Sequence, residues 1–128
     1  MHDNPLHHRL GDLQLTILQA LWKRGASGVA DVQRAIGGHL AYTTVATMLR
    51  KMERRGLVRH REAGRRFIYD ACVSQADVTR SMSNRFVERV FQGSLARAVN
   101  HLLETRDVNP EELGELERLV RKQKRRLQ

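Results

Sequence analysis

Three threonines, Thr43, Thr44 and Thr47, lie close together in a stretch that continues through Arg50, Lys51 and Arg54. Threonine offers a hydroxyl that donates or accepts, while arginine and lysine offer only donors and positive charge. Tyr42 stands immediately before the first threonine. A second basic cluster, Arg61, Arg65 and Arg66, surrounds Gly64 further along. Small hydroxyl residues followed by cations suit contact with a polyanion. On a helix, the hydroxyls could reach base edges in a DNA major groove, and a threonine methyl could pack on a thymine methyl. The cations would then sit where phosphates flank the groove.

Such residues need a scaffold, and the apolar periodicity predicts one. Asp12 is expected to cap a helix over 13–23, with Leu13, Ile17, Leu18, Leu21 and Trp22 on one face and Gly25 as its stop. Ser27 is expected to cap a shorter helix ending at Ile36, before Gly37-Gly38. Thr43 opens a third helix over 44–55, with Val45, Met48, Leu49 and Met52 turned inward. Its outer face carries Thr43, Thr44, Ala46, Thr47, Arg50, Lys51 and Arg54, making 43–54 the candidate recognition helix. Strands over 57–61 and 66–70, joined by a turn at 62–65, then form a hairpin. Three helices followed by a hairpin is the winged-helix order. The arginines around Gly64 fall at the tip, where a wing reaches a phosphate backbone.

The chain beyond the hairpin is helical. Ser74 and Ser94 cap two helices separated by Gly93, and Asn109-Pro110-Glu111-Glu112 starts a third. Their apolar residues include Phe86, Val90, Phe91, Leu95, Val99, Leu102, Leu113, Leu116 and Val120. A segment of this size has no room for a separate core, so these residues are expected to pack against a second copy. The expected fold is mainly α with a small β-hairpin. A winged helix-turn-helix over 9–71 is followed by a helical dimerisation region over 72–128.

Charge and composition agree with this organisation. The 128 residues carry a formal net charge of +9, and aromatic residues make up only 5%. Excess positive charge favours a polyanionic partner, and few aromatics leave the core to aliphatic side chains. Residues 1–70 hold 12 basic and 6 acidic side chains, so the winged-helix part carries most of the excess. The lone cysteine, Cys72, permits no internal disulfide and reads as a small buried residue. The sequence shows no Gly-rich phosphate loop, nucleophile elbow or His-Glu-x-x-His helix, which argues against an enzyme. The six histidines, at 2, 7, 8, 39, 60 and 101, lack zinc-site spacing and read as surface or tail residues, with no metal or cofactor expected. Residues 1–9 read as a loose tail. No apolar run reaches the length of a membrane span, and the N-terminus lacks a signal-peptide layout, so the expected location is cytoplasmic.

The run from Leu40 through Tyr42-Thr43-Thr44-Val45-Ala46-Thr47 to Leu49, followed by Arg54-Arg55-Gly56-Leu57-Val58, resembles the penicillinase-repressor family. Leu10-Gly11-Asp12-Leu13 with Leu21-Trp22, and Val90-Phe91-Gln92-Gly93-Ser94-Leu95, extend the resemblance over roughly residues 9–122. The resemblance implies a homodimeric winged-helix repressor of inverted-repeat operator DNA, near antibiotic-resistance or stress genes. It assigns base contacts to Thr43, Thr44 and Thr47, although some members place a basic residue where this chain has Ala46. Members are often inactivated by cleavage in the dimerisation helices, through a membrane-bound sensor metallopeptidase or its pathway. The position matching the scissile Asn-Phe bond is Asn100-His101. A scissile bond and an ordinary helix pair both stay open there, and the histidine favours the latter. The copper-responsive branch carries a C-terminal cysteine cluster that this chain lacks. A winged-helix protein-interaction module or a nonspecific architectural nucleic-acid binder remains the alternative.

Overall fold

The computed structural model describes residues 4–6 and 9–128. His2, His7, His8 and much of the expected tail lie outside the described residues. The element order is α1 (Asp12–Arg24), β1 (Ser27–Gly28), α2 (Val29–Ala35), α3 (Tyr42–Arg54), β2 (Val58–Ala63) and β3 (Arg66–Ala71). Three further helices follow: α4 (Gln75–Phe91), α5 (Leu95–Thr105) and α6 (Pro110–Arg126). The chain separates into two compact units, one running through Arg85 and the other Phe86–Gln128. This division falls inside α4, and Val78 on the first part of that helix belongs to the core of the first unit.

That core gathers Ile17, Leu18 and Leu21 of α1, Val29 and Val32 of α2, and Val45, Leu49 and Met52 of α3. Leu57, Val58 and Tyr69 close it from the sheet side. The positions i, i+4 and i+7 on α3 make one continuous stripe, so burying it fixes which face of the helix is left for solvent. Trp22 adds a polar tie: its Nε1 donates to the Val73 carbonyl at 2.9 Å, joining α1 to the chain just after the sheet.

Several helix starts differ from those expected. Gly11, not Asp12, is the N-cap of α1, and Gln14 reaches back to accept the Gly11 N–H at 3.0 Å. Asp12 becomes the first helical residue, where its charge complements the helix dipole. Ser27 does not cap α2. It is buried in β1, its hydroxyl donating to the Gly25 carbonyl, and Gly28 takes the cap position. Helix α3 begins at Tyr42 after Ala41, so Thr43 lies within the first turn rather than before it. Residues 4–6 are not a loose tail. The Leu6 carbonyl accepts from Arg85 Nη2 at 2.9 Å, and its side chain packs against the core.

The sheet has three antiparallel strands in the order β1-β3-β2, one more than the expected hairpin. Ser27 pairs with Tyr69 and Gly28 with Ile68, while β2 and β3 pair from Val58↔Ala71 to Ala63↔Arg66. The two-residue loop Gly64-Arg65 has Gly64 at φ 66°, the backbone that type II′ hairpins require at their first central position.

Leu49 is completely buried whereas Thr43 on the same helix is exposed. Leu49→Ala is expected to lower unfolding free energy by about 2–5 kcal/mol. Thr43→Ala should change it by less than about 0.5 kcal/mol. Urea titration at one protein concentration measures both.

Candidate nucleic-acid interface

With Val45, Leu49 and Met52 buried, the opposite face of α3 presents Tyr42, Thr43, Thr44, Thr47, Arg50, Lys51 and Arg54 to solvent. Arg50 Nη2 donates to Thr47 Oγ1 at 3.2 Å, setting a guanidinium and a hydroxyl side by side one turn apart. Ala46, expected on the outer face, is half-buried against the core. Arg55 turns away from this face to donate to Gln14 Oε1 on α1 at 2.8 Å.

The wing comes close to this helix. A cleft of about 330 Å³ is lined by Tyr42, Ala46 and Arg50 of α3, by Val29 and Ala30 of α2, and by Arg66, Phe67 and Tyr69 of β3 with Arg65 of the turn. Tyr42, Arg50, Arg65 and Arg66, picked out separately in the sequence, thus share one concave surface. Thr43, Thr44, Thr47, Lys51 and Arg54 lie outside its lining. The cleft offers guanidinium donors and aromatic faces, with no carboxylate among its lining residues. A phosphodiester backbone is the kind of surface such donors fit.

Two carboxylates that the sequence reading did not single out fasten this wing. Glu53 lies at the C-terminal end of α3, and its Oε2 accepts the His60 backbone N–H at 3.1 Å. The same carboxylate lies 2.7 Å from His60 Nδ1. Strand β2 is an edge strand, so half its N–H groups face away from β3, and Glu53 satisfies one of them. The His60 ring stacks on Phe67 at 4.2 Å between centroids and tilts against Tyr69 at 5.6 Å. Asp31 is the second carboxylate. Its Oδ2 accepts from Gly28 N–H at 3.1 Å and from Arg66 Nη2 at 3.0 Å, while Oδ1 accepts from Arg34 at 2.6 Å. The Gly28 hydrogen bond holds the Asp31 carboxyl below its ordinary range, helped by Arg66 and Arg34 and opposed by desolvation. An acid three residues after a cap is a local signal for the Gly28 bond. The Arg66 partner is 35 residues distant in sequence and leaves no such signal.

Cys72 and His39 lie outside the cleft lining, whereas Tyr69 is part of it. Cys72 is exposed rather than buried as expected. Desolvation pushes its thiol up, opposed by Arg59, so it stays protonated and weakly nucleophilic at neutral pH. Burial likewise raises the Tyr69 phenol, with Glu53 adding to the effect. His39 is exposed, and among the described residues no three His, Cys, Asp or Glu side chains converge as a metal site would require. No described helix is long and apolar enough to cross a membrane.

The second unit holds the remaining predicted positions. Phe86, Val90, Leu95, Val99, Leu102, Leu113 and Val120 are exposed, and Leu116 is half-buried. Phe91 differs: it is buried, edge-on to Phe86 at 5.4 Å and near the His101 ring at 5.7 Å. Asn100 and His101 lie inside α5, with the His101 carbonyl accepting from Thr105 Oγ1.

A third helix with a polar, basic outer face beside a basic hairpin defines a winged-helix regulator. The chain belongs to the penicillinase repressor family, whose model matches residues 10–122. It is accordingly a transcriptional repressor by family and not an enzyme. It is 25% identical to the penicillinase repressor of Bacillus licheniformis over 120 residues, covering 92% of this chain and 94% of that protein. It is 22% identical over 117 residues to the methicillin resistance regulatory protein MecI of Staphylococcus aureus strain N315, covering 90% and 95% respectively. Among solved structures, a MarR family protein from Bacillus stearothermophilus aligns with a TM-score of 0.51 and 22% identity, over 94% of this chain and 76% of that one. Bordetella bronchiseptica BpsR aligns with a TM-score of 0.51 and 21% identity, over 90% and 80%. These two likenesses establish the fold.

Glu53→Ala removes the acceptor for the His60 N–H and is expected to destabilise the first unit by about 1–3 kcal/mol. Its hydrogen-exchange signature should be faster exchange confined to β2 and the end of α3. For Asp31 the lowered pKa fixes the sign. Its contribution is complete above the ordinary carboxylate range and fades as pH falls through the lowered value. Melting temperatures of wild type and Asp31→Asn should therefore differ at neutral pH and converge in acid.

Proposed function

We propose that the chain represses transcription as a homodimer bound to an inverted-repeat operator, each protomer placing α3 in a major groove. The observation that carries this reading is the joining of Tyr42 and Arg50 on α3 to Arg65 on the wing along one cleft without a carboxylate in its lining. Thr43, Thr44 and Thr47 act as base readers, and Arg50, Lys51, Arg54 and Arg65 as phosphate contacts. The positive charge of this surface disfavours the alternative of a protein-interaction module, whose third helix would be neutral or acidic.

Dimerisation rests on the second unit. Only Phe91 and Ala98 are buried within it, while Val90, Leu95 and Val120 remain more than half exposed. Helices with apolar faces that their own chain does not cover gain stability by covering one another, and a two-fold pair does so with one self-complementary patch. A single winged helix reads few base pairs, so pairing also supplies the selectivity that one unit lacks. The names of the relatives associate the regulated genes with antibiotic resistance, and the protein would act in the cytoplasm where DNA is found. Release from DNA through a membrane sensor metallopeptidase is not required by this reading. A bond at Asn100-His101 is held inside α5 and would have to unwind before it entered a protease cleft.

Selection of bound duplexes from a random pool should return an inverted repeat, and affinity should fall steeply with salt. Recovery of no sequence preference would overturn the proposal. Lys51→Ala should weaken all sequences alike and reduce the salt slope by about one per protomer, whereas Thr47→Ala should relax preference at one position in each half-site. Val90→Asp is expected to shift the protein from dimer to monomer in sedimentation velocity. Undiminished dimer would contradict the assigned interface.

A further inference from the structure

Arg66 sits at the wing yet points its guanidinium at an acid. Asp31 receives it at 3.0 Å, and Asp31 is itself fixed, because the same oxygen accepts the Gly28 N–H and its other oxygen holds Arg34. The guanidinium also lies directly over Gly28, where a Cβ would collide with it. The backbone there, at a φ of −74°, is one that any residue adopts, and the guanidinium is the far end of a flexible side chain that can shift aside. Arg65, the neighbouring residue, lies in the turn and lines the cleft with its side chain exposed. Both arginines are exposed and line the cleft, yet only Arg66 of the two is held by a carboxylate on α2.

We infer that Arg66 is a positioning residue and not a phosphate contact: with Asp31 and Gly28 it latches the tip of the wing, where β3 leaves the turn, to α2, so that Arg65 is presented to the DNA backbone. This rests on the DNA-binding reading above. The geometry gives the latch a distinctive consequence. Neutralising Asp31 removes one negative charge from a protein that binds a polyanion, so electrostatics alone would tighten binding. Loss of a latch would weaken it. The two effects have opposite signs, which makes the outcome decisive.

The test is fluorescence anisotropy with the duplex recovered by selection, titrated across salt, using folded variants checked by helical circular dichroism. Asp31→Asn and Arg66→Gln should each weaken binding by roughly three- to tenfold with an unchanged salt slope, and the double variant should be no weaker than either alone. Gly28→Ala leaves every charge and the Asp31 hydrogen bond in place, needs only a shift of the guanidinium's flexible end, and should lose less than Asp31→Asn. Arg65→Gln should lower the salt slope by about one per protomer. Tighter or unchanged binding by Asp31→Asn, or a flattened slope in Arg66→Gln, would each overturn the latch. Wild-type protein that shows no salt-dependent binding would instead remove the DNA-binding reading on which the latch rests.

Discussion

The burial of Val45, Leu49 and Met52 along one stripe of α3 is the constraint on which the functional surface depends. Each fully buried side chain of this size contributes on the order of 1.5–3 kcal/mol, and together they fix the rotation of the helix about its axis. Once that rotation is set, the threonines and cations have only one direction to face. The same stripe packs with α2 and β2 within one core that also takes in α1, so the helix is held from several sides and its outer face is presented as a rigid surface. Preorganisation of that kind lowers the ordering cost of binding.

Carboxylates complete what apolar burial begins. A hairpin projecting from a small core has few apolar contacts near its tip, and its edge strand leaves N–H groups without partners. Glu53 ties β2 to the end of α3, and Asp31 ties β3 to the start of α2. Both acids lie beside a surface that otherwise carries positive charge. Their positions are consistent with holding cations and backbone in place without appearing among the residues that line the cleft.

Much of this was legible in the sequence, and the reasons differ by element. The helices α3, α5 and α6 follow from apolar spacing and, for the last two, from Ser94 and Asn109 acting as caps, as their side chains do. The hairpin follows from Gly64 between two β-prone runs. Strand β1 was not legible because two residues, Ser27 and Gly28, form no pattern, and their pairing with β3 is a tertiary event. The cap roles expected of Asp12 and Ser27 failed for a related reason. Gln14 and Asp31 reach back to glycines, leaving Asp12 inside its helix and Ser27 free to enter the sheet. Phe91 looked like its exposed neighbours in sequence, yet the turn through Gln92 and Gly93, both at positive φ, accompanies its burial between Phe86 and His101. Long-range pairs such as Asp31 with Arg66 leave no trace in local spacing.

The two units bear on selectivity together only if two copies of the chain act as one body, with the apolar helices of Phe86–Gln128 setting the separation of two α3 helices. Half-site spacing is then a geometric quantity, fixed by the protein rather than by the DNA. The most direct test is affinity for a series of duplexes with the same half-sites and altered spacing. Inserting about five base pairs, roughly half a helical turn, should reduce affinity to that of a single half-site, and a full turn should not restore it. Equal affinity at every spacing would mean that each winged helix binds alone, and would contradict the paired reading of DNA by α3.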